Sequence, residues 1–331
     1  MKQKTIESHA QRINALLEGT QIDRLPVALW RHFPIDDQNP DTLARATAAF
    51  QDLYDFDLIK ITPASSFQIK DWGAMDLWNG NPEGTREYTR RVIQKPDDWL
   101  KLKPLKANKG WMAGQLNCAA MIADRYQKTT PVLQTIFSPL AQAKNLAGEN
   151  QLIVHLRKYP EAVLQGLKVI TETTIGFVEA LVQTKVNGVF YAVQHAQSSI
   201  LTLDEFNRFG KAFDLPILQA THSLWCNMLH VHGENLLFDQ ILDYPVQILN
   251  WHDQNTPPSL KEALNHFNGA VCGGLRQWHT LVLGEPQTVR QEASEAIKQT
   301  EGHRLLLGTG CVTPITAPYG NLMAARRSVE V

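Results

Sequence analysis

Short apolar runs alternate with longer amphipathic segments along this 331-residue chain, and this alternation restricts its fold more than any other feature. The apolar runs have the length of buried strands, and the segments between them repeat apolar residues at helical spacing. Strands that alternate with helices form a parallel sheet, because each helix carries the chain back across one face of the sheet. The predicted strands are 25–33, 58–62, 132–137, 186–193, 225–230, 246–251, 270–273 and 304–308.

Eight such units predict a closed (β/α)8 barrel of the α/β class, a TIM barrel, rather than an open sheet. The predicted helices are 40–53, 139–146, 160–181, 202–213, 236–242, 259–266, 286–300 and 320–327. Residues 65–130 lack this regularity and are rich in Trp, Gly and Pro, which predicts an insertion over the carboxyl-terminal mouth of the barrel. Because no Gly-, Ser- or Pro-rich linker divides the chain, we expect a single domain over residues 1–331.

Charge and hydropathy argue against nucleic-acid and membrane partners. The chain has 32 Lys and Arg against 33 Asp and Glu, so it has no net field that would attract a polyanion. No segment approaches the roughly 20 apolar residues of a membrane span, and Met1 to Lys4 lead into a mixed pattern. The 4 cysteines are scattered, which favours free thiols or metal ligands over a disulfide framework. We expect a cytoplasmic protein that acts on a small molecule and that can pair as a homodimer.

Barrel enzymes assemble their sites where the strands end, and two predicted strands end here in potential metal ligands. His230 and His232 lie two residues apart at the end of the fifth strand, so their side chains point to one side. Cys311 follows the eighth strand, and its neighbours Gly308 and Gly310 let the backbone approach closely. Two imidazoles and a thiolate suit Zn²⁺ and leave a fourth position open. The alternative interpretation is that His230 and His232 are only hydrogen-bonded to the backbone at the end of the strand.

Other residues at the strand ends are candidates for catalysis or substrate binding. Glu234 is interpreted as a fourth ligand, as a partner that orients an imidazole, or as a cap of the helix predicted to follow. His195 and His252 are candidate general acids or bases, because imidazole titrates near neutrality. The candidates for substrate hydrogen bonds or for support of the metal ligands are Gln194, Asn250 and Asp253.

Two further residues have both a functional and a structural interpretation. Arg31 is a candidate anion anchor, because a guanidinium can clamp a carboxylate, sulfonate or phosphate with two hydrogen bonds. Its structural interpretation is an ion pair within the barrel. Cys272 competes with Cys311 as a metal ligand, although a small buried hydrophobic side chain is the interpretation we favour.

Motifs spread over the whole chain resemble the uroporphyrinogen decarboxylase family. They are the segment 24–31 (RLPVALWR), the segment 137–140 (FSPL), His230-x-His232-Gly233, and the tail from Gly310-Cys311 through Pro318 to Asn321-Leu322. The resemblance implies a (β/α)8 barrel from one of two branches. One branch contains the haem-pathway decarboxylases, and the other contains zinc-dependent methyltransferases that move a methyl group from a corrinoid protein to a thiol such as coenzyme M.

Three positions favour the methyltransferase branch. The decarboxylases carry a second Arg where this chain has Ile35, and an Asp at the end of strand two where this chain reads Lys60 to Pro63. Ten residues before the tail Asn, here Asn321, the decarboxylases have His and the methyltransferases have their zinc-binding Cys, which corresponds to Cys311. The methyltransferases pair that Cys with His-x-Cys, so His232 stands in place of a Cys.

The resemblance therefore implies a zinc-dependent methyl or alkyl transferase with His230, His232 and Cys311 as ligands, a thiol acceptor, methylcobamide as donor and a corrinoid protein as partner. Imidazole in place of thiolate leaves the metal with more positive charge, which should lower the pKa of a bound thiol or water more strongly. Three alternatives stay open: a uroporphyrinogen III decarboxylase, which is a lyase of porphyrin biosynthesis, a zinc-dependent hydrolase, and a protein that only binds a metal or a corrinoid.

Overall fold

The computed structural model describes residues 8–330, and a curled sheet of seven parallel strands lies at its centre. In chain order the strands are β1 (Ile59–Ile61), β2 (Met75–Leu77), β3 (Glu87–Arg90), β4 (Val132–Phe137), β5 (Gly188–Val193), β6 (Met228–Val231), β7 (Ile248–Trp251), β8 (Ala270–Leu275) and β9 (Leu305–Thr309). Strands β2 and β3 form a separate antiparallel hairpin, and the other seven pair in chain order. Every residue of those seven is buried, as expected for parallel strands covered on both faces.

A short extended segment closes the ring where the first strand of the barrel is predicted. Val27 forms a parallel bridge with Leu307 of β9, and the amide of Ala28 donates to the Leu307 carbonyl over 2.9 Å. On its other side, the carbonyl of Val27 accepts from the amide of Asp57 over 2.8 Å, just before β1. Pro26 has no amide hydrogen to donate, which limits this contact to a bridge. The TIM barrel predicted from the sequence is confirmed, with 25–33 as its least regular strand.

Helices surround this sheet and connect its strands. They are α1 (His9–Glu18), α2 (Pro40–Tyr54), α3 (Gly110–Tyr126), α4 (Pro139–Ala147), α5 (Glu149–Lys158), α6 (Pro160–Val182), α7 (Leu203–Phe206), α8 (Ala212–Ala220), α9 (Leu260–His266), α10 (Pro286–Thr300) and α11 (Tyr319–Arg327). Helices α2, α4, α6 and α10 begin with Pro at their first position, where its missing amide hydrogen costs no bond. The predicted helix 202–213 is α7, a wider turn over 207–211, and the start of α8.

The predicted helix 236–242 is wrong. Only a short 3-10 turn, Phe238–Gln240, forms there. The backbone pairs instead with the loop after β5, because the amide of Leu237 donates to the carbonyl of Ala196 over 2.8 Å. Phe238 packs edge-on against Trp251, with ring centroids 5.2 Å apart. Tertiary contacts therefore use the apolar residues whose spacing predicts a helix.

The β2–β3 hairpin lies over the mouth of the barrel, as the predicted insertion requires. The carbonyl of Pro82 at its tip accepts from the amide of Ile315 over 2.8 Å. Gly84 has a φ of +77°, and a Cβ added to it would lie 2.4 Å from the Cβ of His32, so only glycine fits this contact. The last part of the predicted insertion forms α3, which packs against α2 and β4 as a helix of the barrel wall.

None of the helices within residues 8–330 combines the length and the apolar character that crossing a membrane requires. The long helix α6, with 23 residues, carries charged side chains such as Glu161 and Lys168. Residues 1–4, on which the expected cytoplasmic location partly rests, lie outside the described residues.

Candidate metal centre

Four potential metal ligands from three parallel strands converge at the mouth of the barrel. His230 lies in β6 and His232 follows it, while His252 follows β7 and Cys311 follows β9. One donor atom of each lies within 4.8 Å of the others. His252 Nε2 is 3.2 Å from His232 Nδ1, and Cys311 Sγ is 4.0 Å from the same nitrogen. The structure thus brings together the three ligands predicted from the sequence and adds His252, which the sequence suggested only as an acid or base.

Gly310 allows Cys311 to reach the histidines. A Cβ added to Gly310 would lie 2.6 Å from the Cα of His252 and from the carbonyl oxygen of Trp251. The backbone after β9 therefore touches the backbone after β7, which any larger residue would prevent. This is the close approach that the glycines beside Cys311 predict.

Asn250 determines the orientation of the His230 ring. The two residues lie opposite each other in the register of β6 and β7, and His230 Nδ1 is 2.7 Å from Asn250 Oδ1. The amide nitrogen of Asn250 donates to the carbonyls of Cys272 and Thr309, each over 2.9 Å, so its oxygen must face His230 and accept. His230 therefore carries its proton on Nδ1 and presents an unprotonated Nε2.

Burial keeps the imidazoles of the cluster uncharged. It lowers the pKa of His230 well below its usual value, helped by the neighbouring His232 and His252. It also lowers the pKa of His232 to about 4, and the pKa of His252 falls for the same reason. Burial raises the pKa of the Cys311 thiol to about 11, so only a cation at this position would displace its proton near neutral pH. Neutral imidazoles are the form that binds metals.

The cluster opens onto a cavity of about 450 Å³ beneath the hairpin. Aromatic residues of the barrel form its floor, and the ring of Phe190 stacks on His230 with centroids 5.3 Å apart. The hairpin residues that form its roof are Glu83, Gly84, Thr85, Arg86 and Tyr88. A parallel barrel with polar groups at this end is the usual arrangement of an active site.

Arg31, the predicted anion anchor, does not line this cavity. Its neighbours Trp30 and His32 do, and adjacent residues of an extended segment point to opposite sides. The guanidinium lies over the rings of Phe33 and Phe50, 5.2 and 5.5 Å from their centroids. The guanidinium therefore faces the helical layer rather than this cavity, and its role as an anion anchor stays a prediction.

Glu234 and Asp253 are also placed away from the cavity. The Glu234 side chain is exposed, and its amide donates to Gln197 Oε1 over 3.0 Å, so the predicted fourth ligand is not part of the cluster. No helix follows for Glu234 to cap, because that segment forms the 3-10 turn. Asp253 accepts from the amide of Gly274 over 3.1 Å, and burial raises its pKa to about 6. It supports the end of β8 rather than a substrate.

Of the other predicted residues, Gln194 lines the cavity, whereas His195 and Cys272 are buried behind its wall. Gln194 lines the cavity, and its Oε1 accepts from Lys144 Nζ over 2.7 Å. His195 is buried behind it, with Nε2 3.3 Å from a carboxylate oxygen of Glu149, and does not reach the cavity. Cys272 is fully buried outside the cluster, in agreement with its interpretation as a small hydrophobic side chain.

Cationic residues of the cavity wall were missed by the sequence reasoning. They are Lys60, Arg86, Arg91 and Lys144. Lys60 could have been found from the sequence, because it lies within the apolar run 58–62. A lysine in a buried strand is uncommon and indicates either an ion pair or a function. Arg86 is held by Asp37 and Asp76, at 3.2 and 3.3 Å, and such pairing between distant segments leaves no signal in the sequence.

The family model of uroporphyrinogen decarboxylase (URO-D) matches residues 8–330. The chain belongs to the uroporphyrinogen decarboxylase family. Among its curated relatives are the methylcobamide:CoM methyltransferases MtaA of Methanosarcina barkeri and MtbA of Methanosarcina acetivorans. The first is 19% identical over 331 residues, covering 95% of each chain, and the second is 19% identical over 330 residues, covering 94% of each.

Solved structures show the same fold. A methyltransferase from Methanosarcina mazei superposes with a TM-score of 0.83 at 19% identity, covering 97% of this chain and 98% of the other. A B12-independent methionine synthase from a Shewanella species superposes with a TM-score of 0.58 at 14% identity, covering 95% and 97%. These likenesses extend over whole chains, so they support the barrel and its insertion as one architecture.

Proposed function

We propose that this protein is a zinc-dependent methyltransferase that transfers a methyl or alkyl group to a thiol. The observation that carries the proposal is the cluster of His230, His232, His252 and Cys311 at the carboxyl end of the barrel, open to a cavity. Curated relatives of the same length bear the name methylcobamide:CoM methyltransferase. The cluster supports the proposed metal site, and the names of the relatives support the proposed class of reaction.

The donor set fits zinc. In a tetrahedron with the usual Zn–N and Zn–S bond lengths, two nitrogens lie about 3.3 Å apart, and a nitrogen and a sulfur about 3.6 Å apart. The 3.2 Å between His252 and His232 and the 4.0 Å between Cys311 and His232 lie close to these values, and all four donor atoms lie within 4.8 Å of one another. Nitrogen and sulfur donors in this mixture select zinc over magnesium or calcium. When bound, zinc lowers the pKa of a coordinated thiol, which makes a sulfur nucleophile available at neutral pH.

The residues of the chain prepare the site in two ways. Asn250 holds His230 in the tautomer that can ligate, which avoids the free-energy cost of reorienting the ring when a metal arrives. Burial keeps all three imidazoles neutral, so Cys311 is the only anionic donor the cluster can supply. A site with a single thiolate retains net positive charge and therefore favours an anionic sulfur.

His252 is the donor that we propose to give way to the substrate. It borders a second cavity of about 310 Å³, lined also by Arg276 and Trp278, so its ring is not enclosed on that side. His230 is more constrained, because Asn250 bonds its Nδ1 and Phe190 stacks on its ring. Removal of His252 should therefore weaken metal binding less than removal of His230.

Methylcobamide is the proposed donor, carried by a corrinoid protein that docks over the mouth. The cavity of about 450 Å³ lies at the lower end of the range for small-molecule sites, which suits a small acceptor. In the transfer the carbon–cobalt bond breaks, a carbon–sulfur bond forms, and the electron pair of the broken bond stays on cobalt.

The direct test supplies zinc-loaded protein with methylcobalamin and a panel of small thiols, and follows methyl thioether by mass spectrometry. We expect transfer by the wild type and by Cys118→Ala, which removes a buried thiol of α3 away from the cavity. We expect none by Cys311→Ala. Zinc-loaded wild type that transfers a methyl group to no thiol would contradict the proposal, and porphyrinogen decarboxylation by the same sample would favour the lyase.

A further inference from the structure

Lys60 is a buried lysine without a carboxylate partner. It lies in the middle of β1 with 6% of its surface exposed, and its side chain lines the cavity beside the metal centre. Among residues 8–330 no carboxylate forms an ion pair with its Nζ, which donates to Thr62 Oγ1 over 3.2 Å. The amine sits over the ring of Phe190, 4.4 Å from the centroid, and 5.9 Å from that of Trp30.

Burial without a carboxylate favours the uncharged amine. A buried cation without a counter-ion is costly, the ring faces of Phe190 and Trp30 offset only part of that cost, and burial lowers the pKa of Lys60 to about 7. The titratable groups that face it are His32 from the closing segment, His230 from β6 and Cys311 after β9. Before a metal binds, the lowered pKa values of both histidines and the raised pKa of the cysteine leave all three uncharged near neutral pH. A zinc ion with Cys311 as its single thiolate would add net positive charge beside Lys60, which also favours the uncharged amine.

The other bases of the cavity wall are engaged or weaker. Glu149 lies 3.3 Å from His195, and Glu83 accepts from the indole nitrogen of Trp278 over 2.9 Å. Burial, with the charges of Lys60 and Arg86, lowers the pKa of His32 to about 3. Lys60 therefore has the strongest proton-accepting atom in the cavity that no carboxylate or amide engages.

A thiol acceptor must lose its proton before its sulfur can take a methyl group. We propose that Lys60 Nζ accepts that proton, an inference that rests on the proposed thiol acceptor. The S–H bond breaks, its electron pair stays on sulfur, and an N–H bond forms on Lys60. The resulting ammonium lies in the same cavity as the new thiolate, so the arriving negative charge supplies the counter-ion that Lys60 lacks.

Proton release on thiol binding tests this role without turnover. The probe is 2-mercaptoethanol, which has no second ionisable group, bound to zinc-loaded protein in calorimetry with buffers of different ionisation enthalpy. At about pH 8 the thiol proton should move to Lys60, so wild type should release about zero protons per thiol bound. At about pH 6 Lys60 already holds a proton, and the release should rise toward about one.

Two variants define the comparison. Lys60→Met cannot accept a proton, and Lys60→Arg keeps a permanent charge, so each should release about one proton per thiol at both pH values. Cobalt-substituted samples report binding independently, because a new sulfur ligand increases the charge-transfer absorption. An equal increase in wild type and Lys60→Met also shows that the variant is folded.

Two results would overturn the role. If wild type shows the cobalt signal but releases about one proton at about pH 8, the thiol proton goes to solvent and Lys60 does not accept it. If wild type shows no cobalt signal with the thiol, the proposed acceptor class is wrong, and the role of Lys60 fails with it. The first result leaves the proposed methyl transfer intact.

Discussion

Two buried ionisable residues three positions apart, Asp57 and Lys60, show how differently the two ends of the barrel treat charge. Asp57, at the amino end, is fully buried, and each of its oxygens is bonded. It accepts from Arg12 over 2.6 Å, from Arg24 over 2.7 Å and from the amide of Val27 over 2.8 Å. Lys60 faces the mouth and has no counter-ion among residues 8–330. A paired charge joins segments of the chain, whereas an unpaired amine at a cavity is free to take part in ligand binding or proton transfer.

The largest expected effect comes from removing the paired carboxylate of Asp57 at the amino end of the barrel. Asp57→Asn removes the carboxylate that Arg12 and Arg24 share, so Arg24 loses its ion pair and Arg12 keeps only Asp23; the substitution should lower the free energy of unfolding by about 3–5 kcal/mol. Urea denaturation followed by circular dichroism measures this loss. The control is Asp52→Asn, an exposed carboxylate bonded to Arg125, which should cost less than about 1 kcal/mol. Equal losses in both variants would remove the distinction between the two ends.

A smaller effect is expected at the metal centre. Asn250→Ala frees the His230 ring from its fixed tautomer and should weaken zinc affinity by roughly 10–100-fold. Competition with a chromophoric chelator measures the affinity. Gln194→Ala is the matched amide control, because Gln194 bonds Lys144 rather than a metal ligand, and it should leave the affinity unchanged. Unchanged affinity in Asn250→Ala would show that Asn250 does not position the ring.

The stability that the ion pairs around Asp57 provide should also depend on pH, because His9 is one of the partners of Asp57. Burial alone would lower the pKa of His9, but hydrogen bonds and charge from Asp57 and Asp55 raise it overall. Its contribution is therefore fully present below the pKa of about 6.5 of an unfolded histidine and is lost as the pH rises through the raised value. The stability difference between wild type and His9→Asn should shrink between about pH 6 and pH 9. A difference that is constant across this range would contradict the linkage.

The smallest effect is expected from Lys60→Met. Replacing an unpaired buried amine by an apolar side chain of similar length should change the free energy of unfolding by less than about 1 kcal/mol, and in the stabilising direction if it changes. Urea denaturation beside Asp57→Asn compares two positions three residues apart in one segment of the chain. A loss as large as that of Asp57→Asn would mean that Lys60 has a structural partner and not a functional one.

The fold could be predicted because its signal is local and repeated. Six of the predicted helices agree with the structure within two residues at each end, since Pro, Ser and Asn mark their beginnings. The helix predicted over 236–242 was wrong, because pairing of Leu237 with Ala196 is a contact between distant segments. The length of strand 25–33 was overestimated. The extent of its pairing depends on how the barrel closes rather than on its own apolar residues.

The site could be predicted only in part. Spacing placed His230 and His232 on one side of a strand, but it could not show that His252 from the next strand would meet them. The sequence could not show that Trp30 and His32 line the cavity while Arg31 does not, because it does not say which alternate residue of the closing segment faces inward. Lys60 is visible in the sequence as a lysine in an apolar run, but its lack of a counter-ion is a property of the assembled cavity.

The zinc content of the purified protein tests the central claim most directly. Elemental analysis of protein prepared without chelators should find about one zinc per chain in the wild type and in Cys118→Ala, and close to none in Cys311→Ala. Wild-type protein that is folded and free of metal, or Cys311→Ala that keeps its full complement of zinc, would contradict the metal centre and the methyltransferase built on it.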